Sequence, residues 1–329
     1  MNHDIVAIGA SEGGLEVLLG LVSKLPPTFP ASVFIVVHTA PARSSLLPEL
    51  LTQRGPLPAS HALHSEKILP GRIYVAPSDA HLLVREGSME VVRGPKENGH
   101  RPAVDPLFRS ASWAYGPRVV GVVLSGNQDC GTAGMMSIKA RGGVSVVQEP
   151  ETASAPDMPR SVLARVSVDH VVEPSQLPGL LSRLAATPAG PKTVPDDFVA
   201  QVEGTARGAR AELVCPLCQG VLTEAEPSAF AHFRCHVGHT FSLDSLVREQ
   251  GEEMERALWA AVRSLEEGAA LSHRLASREN GGDLRRRFAE KEHTQTDQAD
   301  LIRQILLHGA RLAKTDAADV SASEIAKTS

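Results

Sequence analysis

Four stretches in the first half of the chain, residues 5–10 ("IVAIGA"), 32–37 ("SVFIVV"), 119–124 ("VVGVVL") and 143–148 ("GVSVVQ"), are apolar almost throughout. A strand with one face in water alternates apolar and polar residues, so a run without that alternation must be covered on both faces. Helical patterns stand between these runs. Leu15, Leu18, Leu19, Val22 and Leu25 recur at helical spacing after the first run, and "AGMMSIKARG" supplies a helix after the third. "RIYVAP" and "DHVVEP" add further strands, and "HLLVREGSMEVV" predicts a hairpin turning at Glu86-Gly87-Ser88. Doubly covered strands alternating with helices predict the α/β class, a doubly wound and mostly parallel sheet.

A chain of 329 residues exceeds one ordinary domain. The pattern predicts a domain over residues 1–186 and a Pro/Gly/Thr-rich linker over 187–212. A Cys/His module follows over 213–243, then a helical hairpin over 244–312 broken at "NGG", and a flexible polar tail over 313–329. The net charge of −5, with 22% charged residues, lacks the basic excess that draws proteins to nucleic acid. No apolar run approaches the roughly 20 residues needed to span a bilayer, and the start "MNHDIVAIGA" has no signal-peptide pattern. The expectation is a cytoplasmic protein without membrane insertion or a nucleic-acid partner.

Chemistry concentrates where the apolar runs end. "GASEG" (residues 9–13) fits G-x-S-x-G, in which a sharp strand-to-helix turn presents a serine, here Ser11, at the carboxyl end of a sheet. "VVHTAP" places His38 just past the second run, and "VVLSGNQDCGTAG" places Asp129 past a later one. In a parallel sheet all three lie at the same edge, where ligands and catalytic groups collect in open α/β folds. Ser11 as nucleophile, His38 as base and Asp129 as orienting acid is the reading that arrangement predicts. The order Ser, His, Asp is not that of the α/β-hydrolases. Nucleotide binding at residues 9–14 is a weaker reading, since neither G-x-G-x-x-G nor a P-loop lysine is present.

Cys215, Cys218, Cys235 and His239 follow C-x2-C-x16-C-x3-H, a spacing suited to structural tetrahedral zinc. With all four positions filled by protein, no site is open for chemistry. No cofactor is expected for catalysis.

The segments "IVAIGASEGG", "FIVVHTAP", "LPGRIYVAPSDAHL", "HRPAVDPLF", "GVVLSGNQDCGTAG" and "DMPRSVL" together resemble the CheB-type protein-glutamate methylesterases of bacterial chemotaxis, over about residues 4–182. The resemblance implies hydrolysis of glutamate methyl esters, often with glutamine deamidation, on methyl-accepting chemoreceptors, whose cytoplasmic helices would be the partner. It puts Ser11 and His38 on the family's nucleophile and base, and a backbone oxyanion donor at Asn127. The family's acid falls on Cys130, with Asp129 one place before it. The chain starts at the esterase's first strand, so control by a receiver domain in the same chain is not expected. Arg101 and Arg160 fall in family-like segments and could meet an acidic receptor side chain. The Cys/His segment resembles a tail module that follows some standalone methylesterases. The competing expectation is a receptor-binding adaptor with impaired catalysis, because a thiol stands where the acid belongs.

Overall fold

The computed structural model describes residues 1–38, 45–191, 209–224 and 232–325, with side chains as far as 308. The chain divides into two compact units, Met1–Val247 and Arg248–Ser329. In the first unit strands and helices alternate: β1 (Ile5–Ala10), α1 (Gly14–Val22), β2 (Ser32–Val37), α2 (Leu47–Arg54), β3 (Ala59–His61) and β4 (Ile73–Val75). A hairpin, β5 (His81–Arg85) and β6 (Ser88–Val92), turns at Glu86 and Gly87 and leads to α3 (Val104–Tyr115). Then come β7 (Val119–Val123), α4 (Thr132–Ala140), β8 (Val144–Gln148), α5 (Asp157–Arg165), β9 (His170–Val172) and α6 (Leu177–Ala186).

Seven strands form one sheet in the order β3-β4-β2-β1-β7-β8-β9, and every pairing is parallel. Alternate residues of each strand enter different cores. Val6, Ile8, Val33 and Ile35 pack with Leu18, Leu21 and Leu181 on one face, while Ile5, Ala7, Phe34 and Val36 pack with Leu107, Phe108 and Met135 on the other. The period of two is present but invisible in hydropathy, because both destinations are apolar. Each of these side chains larger than alanine gains roughly 1.5–3 kcal/mol from full burial. β3 was not expected. It is three residues long and only partly buried, so it carries no apolar run.

Strands β10 (Ala209–Val214), β11 (Val221–Glu224), β12 (His232–Cys235) and β13 (Thr240–Ser242) form a separate antiparallel sheet. Its core is small: Cys215, Leu222, Phe233, Cys235, Phe241 and Leu246. Of the stretch expected as a linker, residues 192–208 lie outside the described residues, and 209–212 already belong to β10. Helix α7 (Leu243–Arg278) leads into the second unit, where α8 (Gly282–Ile325) folds back on it. Ser272 Oγ donates to Gln295 Oε1 at 3.2 Å, His273 Nδ1 meets Glu292 at 3.1 Å, and Ala269 and Ala299 are buried. On α7 Val262 is buried, while Met254 is 63% exposed. The α8 backbone is helical to Ile325, past the point where the polar tail was expected to begin. No helix among the described residues is long and apolar enough to cross a membrane.

Candidate active site

Strand β1 lies between β2 and β7, so the direction of strand addition reverses beside it. In folds of this kind ligands bind at such a reversal, at the carboxyl ends of the strands. Ala10 and Val37 are the last paired residues of β1 and β2, and the His38 N–H donates to the Ala10 carbonyl at 3.2 Å. Ser11 and His38 are therefore the first residues past two adjacent strands at one edge. On the other side, β7 pairs Gly9 with Val123 and sends the loop 124–131 over the same edge. The Ser11 N–H donates to the Ser125 carbonyl at 2.9 Å, tying the serine turn to that loop.

The turn depends on two glycines. A Cβ at Gly126 would stand 2.7 Å from Ser11 Cβ and 2.2 Å from Met158 Sδ. Gly13, at φ +73°, adopts the left-handed conformation and would drive a Cβ into Ser125 and Ser154. Beyond it α1 begins, its positive end at this same edge. Asn127 Nδ2 donates to Glu12 Oε2 at 2.7 Å, closing the rim between the two turns.

His38 stacks face to face on His100, with ring centroids 3.7 Å apart and planes inclined by 11°. His100 comes from the loop between β6 and α3, and its ring fixes one face of the His38 imidazole.

Asp129 is placed differently from the sequence expectation. Asp129 is 2% exposed, and neither carboxylate oxygen accepts a hydrogen bond from any described residue, His38 included. Burial pushes its pKa up. The Ser242 hydroxyl lies near enough to favour the charged form without reaching hydrogen-bond geometry, Asp244 opposes that charge and Arg165 supports it. The carboxylate thus faces β13 and the start of α7. The reason is local: Gln128 at φ +68° and Gly131 at φ +100° bracket a tight turn that sends side chain 130, not 129, inward. Cys130 is fully buried among Val104, Val123 and Met135, and the Val104 N–H donates to its Sγ at 3.3 Å. Burial, then the nearby Asp105, raises its thiol well above the ordinary range, so it stays neutral.

Asp105 is the buried carboxylate that sequence reasoning passed over. It accepts the Gly134 N–H at 2.7 Å and the Asn98 Nδ2 amide at 3.1 Å. Burial raises its pKa to about 6, against the opposing pull of Arg109. It sits inside "HRPAVD", four residues after Arg101. Arg101 is bound to Asp79 at 2.6 and 2.8 Å and donates to the Gly94 carbonyl, while Arg160 pairs with Glu151 at 3.2 Å.

Away from this edge, the donor atoms of Cys215, Cys218, Cys235 and His239 all lie within 4.8 Å of one another. Cys215 Sγ and Cys235 Sγ stand 3.6 and 3.5 Å from His239 Nδ1, and Cys218 Sγ is 3.6 Å from Cys235 Sγ. Four donors about 2.0–2.3 Å from a tetrahedral zinc are separated by about 3.5–3.8 Å, so the set fits that ion. Two tight turns make it possible. The Gln219 N–H returns to the Cys215 carbonyl in one, and in the other the Gly238 N–H returns to the Cys235 carbonyl, with Gly238 at φ +103°. His236 turns away and packs against Gly220.

A parallel doubly wound sheet with a serine and a histidine at its switch point defines an α/β protein whose polar groups gather at the carboxyl ends of the strands. The comparisons with known proteins narrow this: residues 6–181 match the CheB methylesterase family model, and the chain belongs to that family. A Myxococcus xanthus protein-glutamate methylesterase/protein-glutamine glutaminase is 39% identical over 183 residues, 55% of this chain and 51% of its own. A Leptospira interrogans relative is 34% identical over 185 residues, 56% of this chain and 96% of its own. The crystal structure of the Thermotoga maritima CheB methylesterase catalytic domain superposes with a TM-score of 0.53 at 32% identity, covering 55% of this chain and 98% of that one. The chain spans about half the length of the Myxococcus relative and of others like it.

Proposed function

We propose that the chain is a serine hydrolase of glutamate methyl esters on methyl-accepting chemoreceptors, acting in the cytoplasm in chemosensory adaptation. The observation that carries this is the placement of Ser11 and His38 one residue past the paired ends of adjacent parallel strands, in a chain whose relatives are named methylesterases and glutaminases. Ser11 Oγ attacks the ester carbonyl as its proton passes to His38. The oxyanion is held by main-chain N–H groups of the turn after β1 and around Asn127. Collapse of the intermediate expels methoxide, which takes the proton from His38 and leaves as methanol. Water, deprotonated by the same imidazole, then frees the carboxylate. With glutamine as substrate the leaving group is ammonia.

The orienting acid is the weak point of this machinery. Asp129 serves only if its carboxylate turns from Ser242 toward His38, and the neutral thiol of Cys130 supplies no charge. In serine proteases an uncharged isostere of the acid lowers turnover about 10⁴-fold, so the reading implies a slow enzyme. The second reading, a receptor-binding adaptor, draws on the same thiol. Methanol release from a methylated receptor fragment decides between them. The hydrolase reading expects slow release abolished by Ser11→Ala, weakened by Asp129→Asn and raised by Cys130→Asp; silence from parent and every variant supports the adaptor.

The Cys/His set is proposed to hold structural zinc through Cys215, Cys218, Cys235 and His239 Nδ1. Its chemistry is to cross-link the two turns of a segment whose own core is too small to be stable.

A further inference from the structure

The Cys/His module and the loop carrying Asp129 and Cys130 meet through a buried polar relay. The Asn98 N–H donates to the Thr240 carbonyl at 2.8 Å and the Thr240 N–H to the Lys96 carbonyl at 3.3 Å, so residues 96–98 extend the module's sheet beyond β13. Thr240 follows His239, a member of the metal set, directly in sequence. Asn98 is 3% exposed and sits at φ +50°. Its Oδ1 accepts the Ser242 N–H at 3.0 Å and the Ser245 hydroxyl at 2.9 Å. Its Nδ2 donates to Asp105, which in turn accepts the Gly134 N–H in the first turn of α4. The Ser242 hydroxyl also lies beside Asp129, the carboxylate that faces the module.

Both acceptor places on the Asn98 oxygen and one of its two amide N–H donors are thereby committed in one direction. Its oxygen is turned to the module and its NH2 to Asp105, and a reversed amide would set donor against donor at the Ser242 N–H and acceptor against acceptor at Asp105. Such a relay has two discrete arrangements, made or broken, because a half-satisfied buried polar network is costly.

We propose that Asn98 is a positioning residue through which metal loading of the Cys/His module sets the order of residues 127–134, the end of the acid loop and the first turn of α4. With zinc bound, the Cys235–His239 turn holds β13 in register, β13 holds Asn98, and Asn98 and Asp105 hold the start of α4. Loss of the metal releases β13, and the loop loosens. The esterase would then be gated from a site that takes no part in its chemistry. This rests on the hydrolase reading for its consequence but not for its physical core.

Hydrogen–deuterium exchange on the full chain tests it, with zinc, after chelation and after zinc is restored, with methanol release followed in parallel. The expected result is that chelation speeds exchange in the peptide from Asn127 to Met136 on the order of tenfold, the effect of losing one buried hydrogen bond, and that zinc reverses it. Asn98→Gly, which removes the amide but keeps the left-handed backbone, and Ser245→Ala should show the fast exchange already, insensitive to chelation. Faster exchange confined to residues 209–224 and 232–242, with Asn127 to Met136 unchanged, overturns the proposal. So does a chain that neither binds zinc nor responds to it. If Asn98→Gly does not fold, Ser245→Ala and the chelated parent decide the matter. Exchange that follows zinc while no methanol is released in any state upholds the relay and removes the hydrolase reading instead.

Discussion

At the scale of single residues, the site is a contest between position and chemistry. The inward place in the acid loop belongs to side chain 130, and it is occupied by a thiol that burial keeps neutral. Asp129 has the right chemistry in the neighbouring place, and adjacent side chains in a tight turn point apart. Two buried imidazoles nearby give a separate prediction. His81 accepts the Ala103 N–H on Nδ1 and faces the Pro95 carbonyl with Nε2, an arrangement only the neutral ring satisfies. Burial lowers its pKa, and burial lowers that of His232 to about 4, aided by Arg109. A histidine whose folded pKa lies below its unfolded value of 6.5 contributes stability that is complete above 6.5 and is lost as the pH falls toward 4. Asp105, raised to about 6, has the opposite slope over much of the same range, so the parent's own profile hides both. The difference between His232→Gln and the parent isolates the histidine. Urea midpoints measured from pH 7 to pH 4 should shift steadily in favour of the variant as the pH falls; a constant difference would mean that His232 is not held neutral.

At the scale of elements, the zinc reading has a direct check. Metal analysis of the purified chain should return one zinc per chain, lost in Cys218→Ser with disruption of β10–β13 while the seven-stranded sheet persists. A full sheet in a metal-free chain would contradict it. The elements also show what a sequence discloses. β1, β2, β7 and β8 were legible because burial on both faces leaves uninterrupted apolar runs, and the β5–β6 turn because Gly87 at φ +75° marks it. β3 was not, being short and half-buried, and neither were β10–β13, whose core is supplied mainly by the cysteines and two phenylalanines. The strand-end positions of Ser11 and His38 were legible because each follows an apolar run directly. The relay was not. Asn98 in "KENGH" has the sequence of a surface turn, and its partners Ser242 and Ser245 lie 144 and 147 residues away. Asp105 was overlooked for the same reason: its value comes from burial and two long-range donors, neither written in its neighbours.

At the scale of the whole molecule, a family fold over residues 6–181 is joined within one compact unit to a Cys/His module that docks on the loop between β6 and α3. The docking converts the acid loop from a free rim into a contact surface, so the two parts cannot be understood as independent beads. The central claim remains that the Ser11 hydroxyl is activated by the His38 imidazole. Labelling the intact chain with a fluorophosphonate and mapping the adduct by peptide mass spectrometry tests it most directly. The expected outcome is a single adduct on Ser11, formed on the order of 100-fold more slowly in His38→Ala, as when a general base is removed. Equal labelling of parent and His38→Ala, or an adduct elsewhere, would contradict it.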